Sequence, residues 1–404
     1  MAMIPLTLFP PTRSAAFERL ARISVADYAA TRNHLQGAVT MLSPYLTHGF
    51  ITLPEVLRDV LARHALSVQH KLVYELGWRE YFQHVWHHHR DGIFQSLHQG
   101  PLPDHQYSRD LPPDIREART GVPVIDQGVR TLYATGYLHN HARMWLASYV
   151  VHLRKVHWRA GADWMVSHLL DGDLASNHLS WQWIAATGST KPYLFNADNV
   201  ARFAPADWHS PGSAVDASYA ELERRACSPD AVLAPSGPSA VSPVCEPPCG
   251  HQPPDDLYSN PGDIADHDVW LVPPWALGDP PANLADGVIR LGWWPISHHA
   301  RWPWSDARWQ FVGSRMSAIT HRIWGVDTEE LARRLNSARS VHTVSDLHVT
   351  PYLPANVIQH APSRLFAEID HPCGSFSSWW KHATRGISRV EDLPGLRSLC
   401  STTQ

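Results

Sequence analysis

Long hydrophobic runs are missing from this 404-residue chain. Every candidate stretch is broken by His, Arg or Asp, so no membrane-spanning helix is expected. The N-terminal MAMIPLTLFPPTRSAAFERL lacks the basic start and long apolar middle of a secretory leader, and the protein reads as cytoplasmic. Cysteine is scarce. Cys227, Cys245, Cys249, Cys373 and Cys400 are odd in number and scattered, which argues against a disulfide framework. Basic charge is not in surplus either: 34 Lys and Arg stand against 38 Asp and Glu, a net charge of −4. That excludes a generally basic nucleic-acid binder, and any DNA contact would need a local basic face. Neither GxGxxG nor GxxxxGK[ST] occurs, so a dinucleotide fingerprint and a P-loop are unsupported. What the chain has in excess is Trp and His, 18 and 27 residues. Such Trp serves stacking, electron transfer or plain core filling.

Composition divides the chain into three zones. Residues 1–205 carry helical periodicity with no convincing strand run, and predict an all-helical domain. Within them Leu138, Ala142, Trp145, Leu146, Tyr149 and Leu153 form a core-facing stripe. Thr120-Gly121-Val122-Pro123 reads as a loop with Pro123 at a helix start, and Asp171-Gly172-Asp173 as a tight turn. Residues 206–265 are rich in Pro and Ser and read as a disordered linker. Residues 266–404 alternate strand-like VWLV (269–272), VIRLGW (288–293), SVHTV (340–344) and LFAEI (365–369) with helical stretches 306–320 and 327–338. This pattern predicts a smaller parallel α/β domain. The fold class is therefore mainly α with a C-terminal α/β domain.

The segment 135–189 concentrates the chemistry. Asn140 and Arg143 lie three apart on one helix face, two carboxylates (Asp171, Asp173) follow in a turn, then Asn177, Trp181 and Trp183. Such a set suits a polyfunctional heterocycle, which needs several fixed donors and acceptors. Taken alone, it equally suits a helix N-cap at Asp173 or Asn177 beside a core Trp pair. Trp86-His87-His88-His89 is no metal site, because consecutive residues face different sides of a helix. Cys245 and Cys249 lack partner ligands at zinc spacing. No metal is expected.

Three blocks extend the pattern: TRNHLQGAVTMLSPYLTHGFITLPEV (31–56), YELGWREYF (74–82) and residues 120–189. In order and spacing they resemble the FAD-binding domain of the photolyase/cryptochrome family over roughly residues 28–203. The resemblance implies FAD as cofactor. It places Tyr28 near the adenine and phosphate end, and Thr40, Met41, Leu42 and Ser43 around the diphosphate. Arg79 neutralises the cofactor's charge, Asn140 and Arg143 flank the isoalloxazine, Asp171 and Asp173 bond the flavin and its ribose, and Asn177 faces flavin N5. An amide there can accept from a protonated N5 or donate to an unprotonated one.

The same resemblance implies a lesion site of Glu75 and Trp78, with Trp183 on the opposite wall and Met144 beside it. A damaged dinucleotide stacks poorly and is easily flipped between aromatic walls. The bland alternative is that Glu75, Trp78 and Arg79 only stabilise a helix. Trp181 and Trp158 match the first two members of an electron-supplying Trp chain. The third aligns near His105, which cannot carry a hole, so Tyr107 or another of the many tryptophans is the candidate substitute. Tyr137 stands where relatives often have Trp. His139-Asn140 departs from the paired histidines of (6-4) photolyases and, with Met144, points toward cyclobutane dimers. Members of the family normally begin with an α/β antenna domain. Here 269–283, 308–319 and 340–354 resemble parts of it, implying a Rossmann-like domain moved to the C-terminus, with an antenna chromophore of unknown identity.

Three functions are consistent with these readings. The first is a blue-light photolyase in which excited reduced FAD donates an electron that splits cyclobutane pyrimidine dimers in damaged DNA. The second is a cryptochrome-like photoreceptor that signals through flavin photoreduction and a protein partner. The third is a light-independent flavoprotein redox enzyme. A monomer is expected.

Overall fold

The structure, a computed structural model, describes residues 3–234, 242–258, 262–279, 281 and 287–397, with side chains from residue 6. The chain packs as two compact units. One comprises Met1–Val25, Thr40–His87 and Pro248–Gln404, the other Ala26–Val39 and His88–Pro247. The helical zone expected as one domain over 1–205 is thus shared between both. Sequence periodicity marks helices but not which partner their apolar faces choose.

In the first unit, Thr52 begins the helix Leu53–Leu61 with a reciprocal capping box. Its hydroxyl accepts from the Glu55 amide, and the Glu55 carboxylate accepts from the Thr52 amide at 2.8 Å. The long helix Lys71–His89 follows. The later residues build a five-stranded, wholly parallel sheet from β1 (Asp268–Val272), β2 (Ile289–Pro295), β3 (Arg322–Val326), β4 (Ser340–Val344) and β5 (Val357–His360). Their order is β3-β2-β1-β4-β5. The first strand lies at the centre, so DVWLV is buried at four of five positions, as a parallel strand covered on both faces must be. Helices Asp306–Ile319 and Thr328–Leu335 occupy the expected positions.

Two strands of this sheet escape the sequence reading, as does a separate antiparallel pair of Cys249–Gly250 with Trp304–Ser305. β3 is short and interrupted by Gly325, and β5 is an edge strand with only Val357 buried. One expected strand is corrected: LFAEI is not in the sheet. The amides of Leu365 and Phe366 donate instead to the two carboxylate oxygens of Glu80, so those donors are satisfied without a neighbouring strand.

The second unit is helical. No strand is assigned among the described residues up to 205, which carry only an isolated bridge between Ser108 and Val156. Pro123 stands in the first turn of Pro123–Thr135, which ends at Gly136 with φ of 64°, a left-handed position suited to glycine. The Asp126 carboxylate closes the preceding loop by accepting from the Thr120 and Gly121 amides. Helix Asn140–Ser148 runs on through a π-helical turn, Tyr149–Leu153, and all six stripe residues are buried. Helices Trp158–His168 and Leu174–Ala185 follow.

The expected disordered linker over 206–265 is corrected for most of its length. Ser218 caps a helix, Tyr219–Ala226, whose Leu222 and Ala226 sit one turn apart and are buried along with Trp208 and Val215. Lys155 Nζ donates to the carbonyls of His152, Arg225 and Ala226. Glu246 meets Arg116 and His168. A short apolar pair within Pro/Ser-rich sequence is easily overlooked. Residues 235–241 and 259–261 of this stretch lie outside the described residues.

Candidate functional site

The expected cofactor residues fall into two groups, one in each unit. In the first unit, Glu75, Trp78 and Arg79 project from helix Lys71–His89. Arg79 donates to the Thr47 hydroxyl at 3.0 and 3.2 Å and to the Ser43 carbonyl at 3.3 Å. It is therefore tied to the loop Thr40–Ser43 and the short helix Ser43–Thr47 that follows. Met41 has φ of 50°, and the Leu42 amide donates to the Thr40 hydroxyl, so the loop turns sharply beneath the guanidinium. A fixed cation beside a Ser/Thr loop is suited to an anion. Tyr28 belongs to the other unit.

In the second unit, Arg143, Asp171, Asp173 and Asn177 form the other group. The turn after helix Trp158–His168 brings both carboxylates to the start of Leu174–Ala185, where Asp173 caps the helix by accepting from the Ser176 amide at 2.7 Å. The cap reading of Asp173 is thus correct, while Asn177 lies inside the helix. Arg143 Nη2 donates to both oxygens of Asp171, and its Nε donates to the Leu138 carbonyl at 2.7 Å. Asn177 Nδ2 donates to the Ala162 carbonyl at 2.9 Å, which fixes the amide plane. Asn140 and Met144 share one turn, with Asn140 Nδ2 3.6 Å from the Met144 sulfur. His139 is the N-cap of that helix. Its Nδ1 accepts from the His141 amide, and burial, with cationic neighbours, pushes its pKa down to about 4.

The electron-transfer candidates lie in the same unit. Trp181 sits one turn beyond Asn177, and its indole lies against Gly161, one turn along from Trp158. Trp158 Nε1 donates to the Ser96 hydroxyl, and its ring is 5.6 Å from His157. His157 in turn is 6.3 Å from Tyr107, whose phenol is pushed up to about 12 chiefly by burial. Trp183 is 42% exposed and 5.9 Å from Tyr193. His105 is exposed.

Sequence reasoning overlooked several participants. Ser96 and His157 carry no motif, and Phe376 and Trp380 meet helix Lys71–His89 from far later in the chain, where Glu80 accepts from the Leu365 and Phe366 amides. Phe376 stacks on Trp78, and Gly77 within YELGWREYF was the only hint that something approaches that face closely. A pocket of about 520 Å³ in the second unit, lined by residues including Asp27, His34, Arg202 and Phe203, contains none of the expected cofactor residues. Among the described residues no His/Cys/Asp/Glu group is placed to hold a metal ion, and no helix is long and apolar enough to cross a membrane.

The donor set fits a flavin dinucleotide. Asp171, Asp173 and Asn177 are only 7%, 4% and 8% exposed, and so many buried polar groups need fixed partners. They offer carboxylate, guanidinium and amide groups together, which matches a ring bearing both N–H and carbonyl edges. By itself, Arg79 with its Ser/Thr loop in the first unit suits an anion such as a phosphate.

Comparison with known proteins agrees. Residues 72–210 match the family described as the FAD binding domain of DNA photolyase. A deoxyribodipyrimidine photo-lyase from Synechococcus is 35% identical over 213 residues, covering 48% of this chain and 43% of the relative. A cryptochrome DASH from Oryza sativa is 34% identical over 171 residues, covering 40% of this chain and 29% of the relative. A solved archaeal photolyase from Sulfolobus tokodaii, described with two FAD molecules, is 29% identical with a TM-score of 0.41, covering 48% and 44% of the two chains. The chain thus spans less than half the length of these relatives. Residues 72–210, which hold Arg79, Asn140, Arg143, Asp171, Asp173 and Asn177, are thus similar to the FAD binding domain of DNA photolyase.

Proposed function

We propose that the protein is a blue-light-dependent photolyase that splits cyclobutane pyrimidine dimers in damaged DNA. The observation carrying this reading is the buried group of Arg143, Asp171, Asp173 and Asn177, with Trp181 one turn further along the Asn177 helix. When bound, FAD supplies one-electron chemistry under light. Arg79 and the Thr40–Ser43 loop hold the phosphates. Arg143 orients Asp171, the Ala162 carbonyl orients Asn177, and Asp173 acts from a helix N-terminus. Trp181, Trp158 and Tyr107 resupply electrons, with the His157 ring between the last two. Glu75 and Trp78 receive the lesion.

The five-stranded sheet supports a second element of the reading, a Rossmann-like antenna domain that follows the helical residues in the chain. Its all-parallel order, with the earliest strand central and the chain winding first one way and then the other, is that of a doubly wound sheet.

Purified FAD-bound protein, illuminated with an oligonucleotide containing one dimer, should restore the intact pyrimidines. Glu75→Ala and Trp78→Ala should abolish that restoration while retaining flavin. Photoreduction without restoration would instead establish the photoreceptor reading, which one observation favours: the face of Trp78 is already covered by Phe376.

A further inference from the structure

Helix Lys71–His89 presents Tyr74, Gly77, Trp78 and Tyr81 to a segment nearly three hundred residues later in the chain. The ring of Phe376 lies parallel to the Trp78 indole, 4.0 Å between centroids and 11° between planes. That is the geometry a stacked nucleobase adopts. Tyr74 meets the edges of Phe376 and Trp380 at 4.6 and 5.1 Å. Trp380 presses so closely on Gly77 that a Cβ there would come within 2.5 Å of the indole. Polar anchors hold the approach to this helix. Both Glu80 oxygens accept from the amides of Leu365 and Phe366, His84 Nε2 accepts from the Cys373 amide, and the Tyr81 hydroxyl donates to the Cys373 carbonyl.

We propose that residues 365–383 form an intramolecular cover that competes with a flipped base for the stacking face of Trp78. The inference rests on the reading of Trp78 as a wall of the lesion site. The helix Phe376–Ala383 is bracketed by mostly exposed residues at 367–372 and 384–389, so it can lift without disturbing the sheet. Lifting strips Phe376, Trp379 and Trp380 of their partners, so the closed arrangement dominates until a ligand binds the open one better. A planar base, with its phosphates, is such a ligand. Apparent DNA affinity then falls in proportion to the fraction of molecules that are open.

The test uses the full chain with FAD bound and a labelled single strand containing one thymine dimer, read by fluorescence anisotropy. Phe376→Ala should bind roughly ten-fold tighter than the parent, the gain expected when about nine molecules in ten are covered. Phe376→Ala combined with Trp78→Ala should lose that gain. Equal affinity of parent and Phe376→Ala overturns the cover and leaves the repair reading standing. No binding by either, with flavin retained, overturns the Trp78 wall and the cover together. Hydrogen exchange on the unaltered protein gives a second measurement free of folding defects. Saturating dimer strand should accelerate exchange at the amide of Cys373, and bound DNA with unchanged exchange there refutes the proposal.

Discussion

A single nitrogen of Arg143 serves both oxygens of Asp171, at 2.9 and 2.7 Å, while the Asp171 side chain is only 4% exposed. An ion pair this enclosed leaves a poorly solvated charge when one member is removed. Asp171→Asn should therefore lower stability by about 2–3 kcal/mol, toward the lower end of buried pairs because Arg143 retains some solvent contact. Denaturant titration of the flavin-free protein measures this. Flavin retention through gel filtration should fall as well. Full retention would remove Asp171 from the cofactor group.

Burial raises the Glu80 carboxyl to about 7 from an ordinary value of 4.5, against the opposing pull of its two amide donors and Arg364. A raised carboxyl favours the protonated form in the fold. Its stabilising contribution is complete below about 4.5 and is lost as pH rises through about 7. The loss amounts to roughly 3 kcal/mol. Glu80→Gln should flatten the dependence of unfolding free energy on pH in that window. It should also lose one amide acceptor, worth about 1 kcal/mol. An unchanged slope would assign the titration to another group.

Lys155 satisfies three carbonyls at once, two of them at the end of Tyr219–Ala226. Lys155→Met leaves those oxygens without their donor and should cost about 3 kcal/mol. Thermal unfolding gives the magnitude. Limited proteolysis should show faster cleavage around residues 219–226. Equal resistance in parent and variant would mean that this helix is held by Leu222 and Ala226 alone.

Gly161 lies where the Trp181 indole presses on the Trp158–His168 helix. Alanine favours the helix by up to about 1 kcal/mol, but its methyl group overlaps the ring, and overpacking costs about 1–3 kcal/mol. Gly161→Ala should displace Trp181 and slow light-driven flavin reduction several-fold, with flavin still bound. Transient absorption separates the two effects. An unaltered rate would take Trp181 out of the electron route.

Sequence reading performed best where the chemistry is local. Asp173 at a helix start, the Leu138-to-Leu153 stripe and the three strands β1, β2 and β4 could be found from spacing and β-branched or aromatic content. It performed worst where the partner is remote. LFAEI has the composition of a strand, yet its amides end on Glu80, a pairing across 285 residues that no window sees. β5 exposes three of its four residues, and Tyr219–Ala226 buries only two of its own, Leu222 and Ala226, within Pro/Ser-rich sequence. The expected flavin residues rest on the family blocks alone. Their division between two compact units was not legible, since it depends on which apolar faces meet.

The unit holding Arg79 and Trp78 is closed by residues from opposite ends of the sequence: Arg58 to the Gly395 carbonyl, 337 residues apart, and Tyr81 to Cys373, 292 apart. The unit holding Asp171 and Asn177 is finished by residue 247. During synthesis the latter can condense early, whereas helix Lys71–His89 must wait for residues 365–383 before its apolar side is shielded. Assembly order is thereby set by topology: a helix made before most of the second unit is completed after it, and it stays vulnerable to aggregation in the interval.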